Sequence, residues 1–207
     1  MTRKVVVLTD ESIGAEARER LSPLFDVRAL PGHYPSERVL VEACAGASAI
    51  LARLATVTRP VIEAAPGLRI VSRHGVGVDA VDLDAATERG VIVTTTGAAN
   101  AAAVAEYTFA LLLGLARKIP AAGAAMRLGQ WSRDRLVGTE LDGKTLGIVG
   151  IGAVGRRVAR QAQGFGMRVV AYDPLTAQAP IAGVEMMDLA SLLAEADIVT
   201  LHLRLSA

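Results

Sequence analysis

Three glycines and one aspartate carry the densest chemical information in this sequence. Gly150-x-Gly152-x-x-Gly155 follows the apolar run Thr145 to Val149 without a break, and Asp173 ends a second apolar run, Arg168 to Tyr172. In this spacing the first glycine permits a tight turn. The second has no side chain, so a pyrophosphate can approach the backbone. The third lets a helix pack closely on a strand. The helix that follows would offer its unpaired N–H groups and the positive end of its dipole to the phosphates. Asp173 stands where a carboxylate would accept hydrogen bonds from the adenosine ribose hydroxyls. The same charge would repel a 2′-phosphate, and Pro174 follows rather than an arginine, so the pattern favours NAD over NADP.

A glycine pattern alone is a weak signal, and its worth depends on the elements around it. Thr145-Leu-Gly-Ile-Val149 reads as a strand buried on both faces of a parallel sheet. A helix after the turn carries Val154, Val158, Ala162 and Phe165 on its inward face, and Gly166 is placed to stop it. Arg168 to Tyr172 is then the next strand. Strand before, helix after, second strand and an acid at its tip together point to a dinucleotide. A decoy lies just upstream: Gly138-x-x-x-x-Gly143-Lys144-Thr145 fits the phosphate-cradling pattern of nucleotide hydrolases. That loop must open a helix; here it leads into a strand, which argues against nucleoside triphosphate hydrolysis.

The rest of the chain alternates strands and helices. Strands are expected at Lys4 to Thr9, Asp26 to Leu30, Ala47 to Ala52, Leu68 to Ser72 and Val91 to Thr94. Helices are expected at Ser12 to Leu21, from Ser36 to about Ala45, after Thr58, and at Asp82 to Glu88. This is the signature of a parallel α/β unit with functional loops at the C-terminal strand ends. One such loop, His74-Gly75-Val76-Gly77-Val78-Asp79, follows the fourth strand. Its glycines either present backbone N–H groups to an anion or form a plain turn with Asp79 capping the next helix. Small residues from Thr95 to Asn100 mark a hinge, and a long helix, Ala101 to Lys118, is expected to bury Val104, Thr108, Leu111, Leu112 and Leu115. Two domains are therefore expected, 1–97 and 98–207. Beyond Asp173 only one helix, Asp188 to Ala194, and one strand, Asp197 to Leu203, are evident. That makes three strands, the first βαβαβ half of a dinucleotide fold, with Thr145 to Val149 facing a missing neighbour. An unpaired apolar edge is a liability, so the chain is expected to be cut short or to need a partner.

Composition narrows the function classes. With 52% hydrophobic residues and 3% aromatics, the core must be built from Val, Leu, Ile and Ala. A net charge of +1 and no dense basic run argue against nucleic acid. No stretch of 18 or more apolar residues suggests a membrane span, and MTRKVVVLTD is not a signal peptide. The single cysteine, Cys44, among alanines in a helix, is expected to be buried and inert, as suits a cytoplasmic protein. No metal site is expected. Trp131 reads as a packing anchor rather than a ligand.

These motifs, in this order, resemble the D-isomer-specific 2-hydroxyacid dehydrogenases, the family that includes D-3-phosphoglycerate dehydrogenase. The likeness rests on Arg73-His-Gly-Val-Gly-Val-Asp79, on Asn100 with Val104-Ala-Glu106, on Leu141 to Gly150 through Asp173, and on Asp197 to His202. It implies a flavodoxin-like substrate lobe followed by a partial Rossmann domain, and an NAD-dependent enzyme. The reaction it implies is hydride transfer between nicotinamide and C2 of a 2-hydroxy or 2-oxo acid, with 3-phosphoglycerate among the candidates. It implies that the backbone at Val76 and Gly77 holds the substrate carboxylate. It also implies that Gly150, Gly152, Ala153, Val154 and Gly155 line the pyrophosphate, that Asp173 meets the ribose, and that the long helix with the Trp131 region forms a homodimer. Departures are Ala80 for the family's asparagine, Thr96 near its usual proline, one extra residue between Gly97 and Asn100, and Arg204 where a proline usually stands. The family's catalytic arginine, glutamate and histidine would fall beyond Ala207, so no catalytic residue is assigned, and His202, His33 and His74 are not substitutes. The alternative is a catalytically inactive NAD-binding protein or a truncated fragment.

Overall fold

The computed structural model describes residues 6–131, 134–176 and 178–203. The expected strand start at Lys4 and the departure at Arg204 lie outside them. The chain divides into two compact units, Met1–Gly97 and Ala98–Ala207.

The first unit is a five-stranded parallel sheet. Its strands are β1 (Val6–Asp10), β2 (Asp26–Leu30), β3 (Ala49–Ala52), β4 (Ile70–Arg73) and β5 (Ile92–Thr95), in the order β2-β1-β3-β4-β5. This is the flavodoxin-like order, with its reversal between β1 and β3. Helices α1 (Ala15–Leu21), α2 (Glu37–Cys44), α3 (Arg59–Glu63) and α4 (Leu83–Glu88) connect the strands. Ile50 and Val71 are register partners across β3 and β4, and with Leu8, Leu40, Val61 and Ile62 they form the core. Cys44 is fully buried, and burial pushes its thiol up to about 11.

Local chemistry corrects three expectations. α1 begins at Ala15 rather than Ser12, because the Asp10 carboxylate accepts the Ser12 N–H at 2.7 Å and turns the chain first. Asp82, not Asp79, caps α4, accepting the Ala85 N–H at 2.8 Å. Thr58 holds the N-cap position of α3, but its hydroxyl donates to the Glu37 carboxylate at 2.6 Å and makes no capping bond to the helix.

The second unit opens with α5 (Ala101–Ala116) and α6 (Ile119–Arg127), joined through Lys118 in the left-handed region at φ 53°. Its sheet holds β6 (Thr145–Val149), β7 (Arg168–Tyr172), β8 (Val184–Met186) and β9 (Ile198–Leu201), all parallel, with α7 (Ala153–Gly164) and α8 (Leu189–Glu195). α5 and α7 cover one face through Phe109, Val158 and Ala162, and α8 covers the other through Leu192 against Val149 and Val170. Every residue of β6 is buried, as a strand covered on both faces requires.

The strand order is β8-β7-β6-β9. The Rossmann architecture therefore holds, but with four strands rather than three, in the pattern 3-2-1-4. β8 is the third strand, and β9 has crossed to the far side of β6. β6 does not face a missing neighbour: β9 pairs along it, Leu146 with Ile198 through Val149 with Leu201. The edge strands are β8 and β9, and on β9 Val199 and Leu201 are exposed.

Two expected faces also shift. α5 buries Ala101, Ala105 and Phe109, while Leu111 and Leu115 are 58% and 81% exposed. The helix is apolar nearly all round, so periodicity alone leaves its phase free; packing on α7 sets it. Phe165 does not point inward from α7. It caps the helix, 43% exposed, and stacks one ring face on Phe109 at 5.1 Å between centroids. Among the described residues no single helix is long and apolar enough to cross a membrane; α5 and α6 reach that length only together, as a pair bent by 63°.

Candidate dinucleotide-binding site

The glycine turn lies at the C-terminal ends of β6 and β9, where the strand order reverses. That is the place where open α/β sheets bind their ligands. Three strand ends are stitched together there: Gly150 N–H donates to the Tyr172 carbonyl at 2.8 Å, and His202 N–H to the Val149 carbonyl at 2.8 Å. Gly150 sits at φ 97°, and a Cβ on it would come within 2.8 Å of the His202 backbone. A Cβ on Gly155 would run into the Gly150 carbonyl, so α7 reaches β6 only through a glycine.

Gly152 is different. Its φ is −69°, which any residue adopts, and a Cβ there would meet nothing within 4 Å. Neither conformation nor packing calls for glycine at this position, and the space beside the backbone is open. The first helical bond of α7 runs from Arg156 N–H to the Gly152 carbonyl at 3.0 Å. The N–H groups of Gly152, Ala153, Val154 and Gly155 precede it, and no acceptor among the described residues takes them. Together with the helix dipole they suit an anion.

Asp173 lies against this turn. Its Oδ2 accepts the Ile151 N–H at 2.9 Å, and Oδ1 accepts the Leu175 N–H at 2.9 Å. A carboxylate offers about four lone-pair sites, so both oxygens keep capacity for hydroxyl donors. The fold thus brings the acid and the glycines together, and the residues present fit a dinucleotide. Sequence reasoning missed Arg156, whose Nε donates to the Ile151 carbonyl at 3.1 Å. The contact needs both the turn geometry and a side-chain rotamer, so no spacing rule reveals it.

In the first unit, the loop after β4 is anchored at its ends. His74 N–H donates to the Ala52 carbonyl at 2.7 Å, and Thr96 N–H to the Gly75 carbonyl at 3.1 Å. The Arg73 guanidinium braces it, donating to the carbonyls of Ala52, Arg53 and His74. The Val76 and Gly77 N–H groups have no acceptor among the described residues. Asp79 lies over Gly77, its Oδ1 2.5 Å from where a Cβ would stand.

His202 is half-buried after β9, and its Nε2 lies 3.0 Å from the Thr200 hydroxyl. No carboxylate pairs with it among the described residues, and burial holds its pKa below the usual histidine value. The folded protein therefore prefers the neutral ring, and the unfolded chain takes up the proton more readily. This contribution to stability is whole above the ordinary value of about 6.5 and is lost as pH falls through it toward the folded pKa. Urea midpoints at pH 7.5 and 5.5 should differ less in His202→Gln than in the wild type. No cluster of three metal-ligating side chains occurs among the described residues.

Comparison with known proteins agrees with this geometry. Residues 109–207 match the D-isomer specific 2-hydroxyacid dehydrogenase, NAD binding domain. The chain is 44% identical over 201 residues to D-3-phosphoglycerate dehydrogenase of Mycobacterium tuberculosis, covering 96% of this chain and 38% of the relative. Among solved structures, the TT0316 protein from Thermus thermophilus superposes with a TM-score of 0.90 at 35% identity, over 98% of this chain and 66% of that one. D-lactate dehydrogenase from Aquifex aeolicus, solved with NAD and lactic acid, gives a TM-score of 0.84 at 29% identity, over 96% and 60%. The chain therefore spans well under half the length of its curated relative. Motif, strand order and these likenesses agree: residues 109–207 carry the NAD-binding domain of the D-isomer-specific 2-hydroxyacid dehydrogenase family.

Proposed function

We propose that this chain supplies the cofactor-binding and substrate-entry parts of an NAD-dependent D-2-hydroxyacid dehydrogenase. The observation that carries the reading is Gly152: the fold does not need a glycine there, yet the position is left open beside four unspent N–H groups and the Asp173 carboxylate. When bound, NAD supplies the hydride acceptor or donor for C2 of a 2-hydroxy or 2-oxo acid. Residues 98–207 hold the dinucleotide, and residues 1–97 meet the substrate, with the Val76 and Gly77 N–H groups donating to its carboxylate. Asp79 must swing off Gly77 for that anion to dock. The relative from Mycobacterium tuberculosis makes 3-phosphoglycerate the first substrate to test. A reducing compartment, the cytoplasm, suits the single buried thiol of Cys44. Exposed Tyr107, Leu111, Leu115, Met126, Leu128 and Trp131 along and after α5 and α6 support a homodimer, which sedimentation velocity tests.

NADH fluorescence titration tests the core of the reading. The 207-residue chain should bind NADH, and NADPH less tightly. The acid–base histidine, its carboxylate and the substrate-gripping arginine that the family uses are not assigned to any residue here. This chain alone should therefore bind NADH but not oxidise 3-phosphoglycerate when NAD+ is supplied, and measurable turnover would refute that assignment. Asp173→Ala should weaken NADH by about 10- to 100-fold, the loss of hydrogen bonds to a charged group, and narrow the gap between NADH and NADPH.

A further inference from the structure

The backbone of Ile151 is gripped on both of its flanking peptide units. Its N–H donates to Asp173 Oδ2 at 2.9 Å, and its carbonyl accepts from Arg156 Nε at 3.1 Å. Its side chain is fully buried, so the residue cannot rotate its backbone without leaving the core. The Ile151 carbonyl is also the acceptor that the Gly155 N–H would take if α7 began one residue earlier. Arg156 takes it instead. The helix then starts at Ala153, and the Gly155 N–H stays unspent beside those of Gly152, Ala153 and Val154. A cation in the first turn of a helix opposes the helix dipole, so helix stability does not explain an arginine at this position.

We propose that Arg156 is a positioning residue for the dinucleotide site, acting through the Ile151 carbonyl rather than through its charge. With Asp173 it clamps the turn in the form that receives a pyrophosphate. This inference rests on the dinucleotide reading above. It separates two uses of an arginine near a phosphate: direct ion pairing needs the charge, whereas the clamp needs only an N–H donor at the Nε position.

Two substitutions in the 207-residue chain distinguish them. In Arg156→Gln the amide nitrogen falls at the bond position of Nε and keeps a donor without charge. In Arg156→Met a methyl falls there. The clamp predicts an NADH Kd within about 3-fold of wild type for R156Q and about 5- to 10-fold weaker for R156M, the worth of one neutral hydrogen bond. Without any NADH, amide exchange over residues 150–155 should be faster in R156M and unchanged in R156Q. Equal weakening in both variants, or no change in R156M, overturns the clamp. A wild-type chain that binds no NADH overturns the dinucleotide reading instead, and faster exchange confined to R156M would still support the clamp.

Discussion

Gly152→Asp should leave the second unit folded and abolish NADH binding. The backbone there is at φ −69° and ψ −155°, open to any residue, and a Cβ meets nothing within 4 Å. The folded chain therefore has little to lose, and the melting temperature should stay close to that of the wild type. The new carboxylate would stand where the pyrophosphate must lie. Two unit charges about 5 Å apart, at an effective dielectric of about 20, repel by about 3 kcal/mol. That is about a hundredfold in Kd before the steric clash is added. Unchanged NADH affinity in this variant would show that the space beside Gly152 serves no dinucleotide.

Gly155→Ala should produce the opposite pattern, a loss of stability first. Its Cβ would collide with the Gly150 carbonyl oxygen and lie 3.2 Å from the carbonyl carbon, both backbone atoms. Nothing there can rotate away. α7 must lift off β6, which separates Val158 and Ala162 from the core they share with Ile148. Overpacking of this kind costs about 1–3 kcal/mol or more, a fall in Tm on the order of 10 °C. NADH binding should drop with it, because the helix N-terminus moves with α7. Calorimetry on the two variants together is the informative experiment. One glycine keeps space for a ligand and the other for the fold, so the losses should fall on different measurements.

The stretch from Thr145 to Asp173 was legible in sequence because its constraints are local. An apolar run specifies a buried strand, glycines specify the turn and the close approach, and a period of 3.6 specifies the inner face of α7. The stop after Phe165 is equally local: Gly166, at φ 70°, follows it, and the Met167 N–H returns to the Ala162 carbonyl at 3.1 Å. The alternation of strands and helices likewise announced two parallel sheets. Other features were decided only by tertiary structure. β8 has three residues, too short for an alternation signal, and exists because β7 offers it a ladder. The crossing of β9 to the far side of β6, which creates the reversal beside the glycines, is a choice between strand edges that sequence spacing does not encode. The phase of α5 came from its contact with α7, since Leu111 and Leu115 are as apolar as the residues it buries. The grip of Asp173 and Arg156 on the Ile151 backbone is of the same kind. Sequence supplies the residue types, but the two side chains converge on one residue only after β6, β7 and α7 have packed.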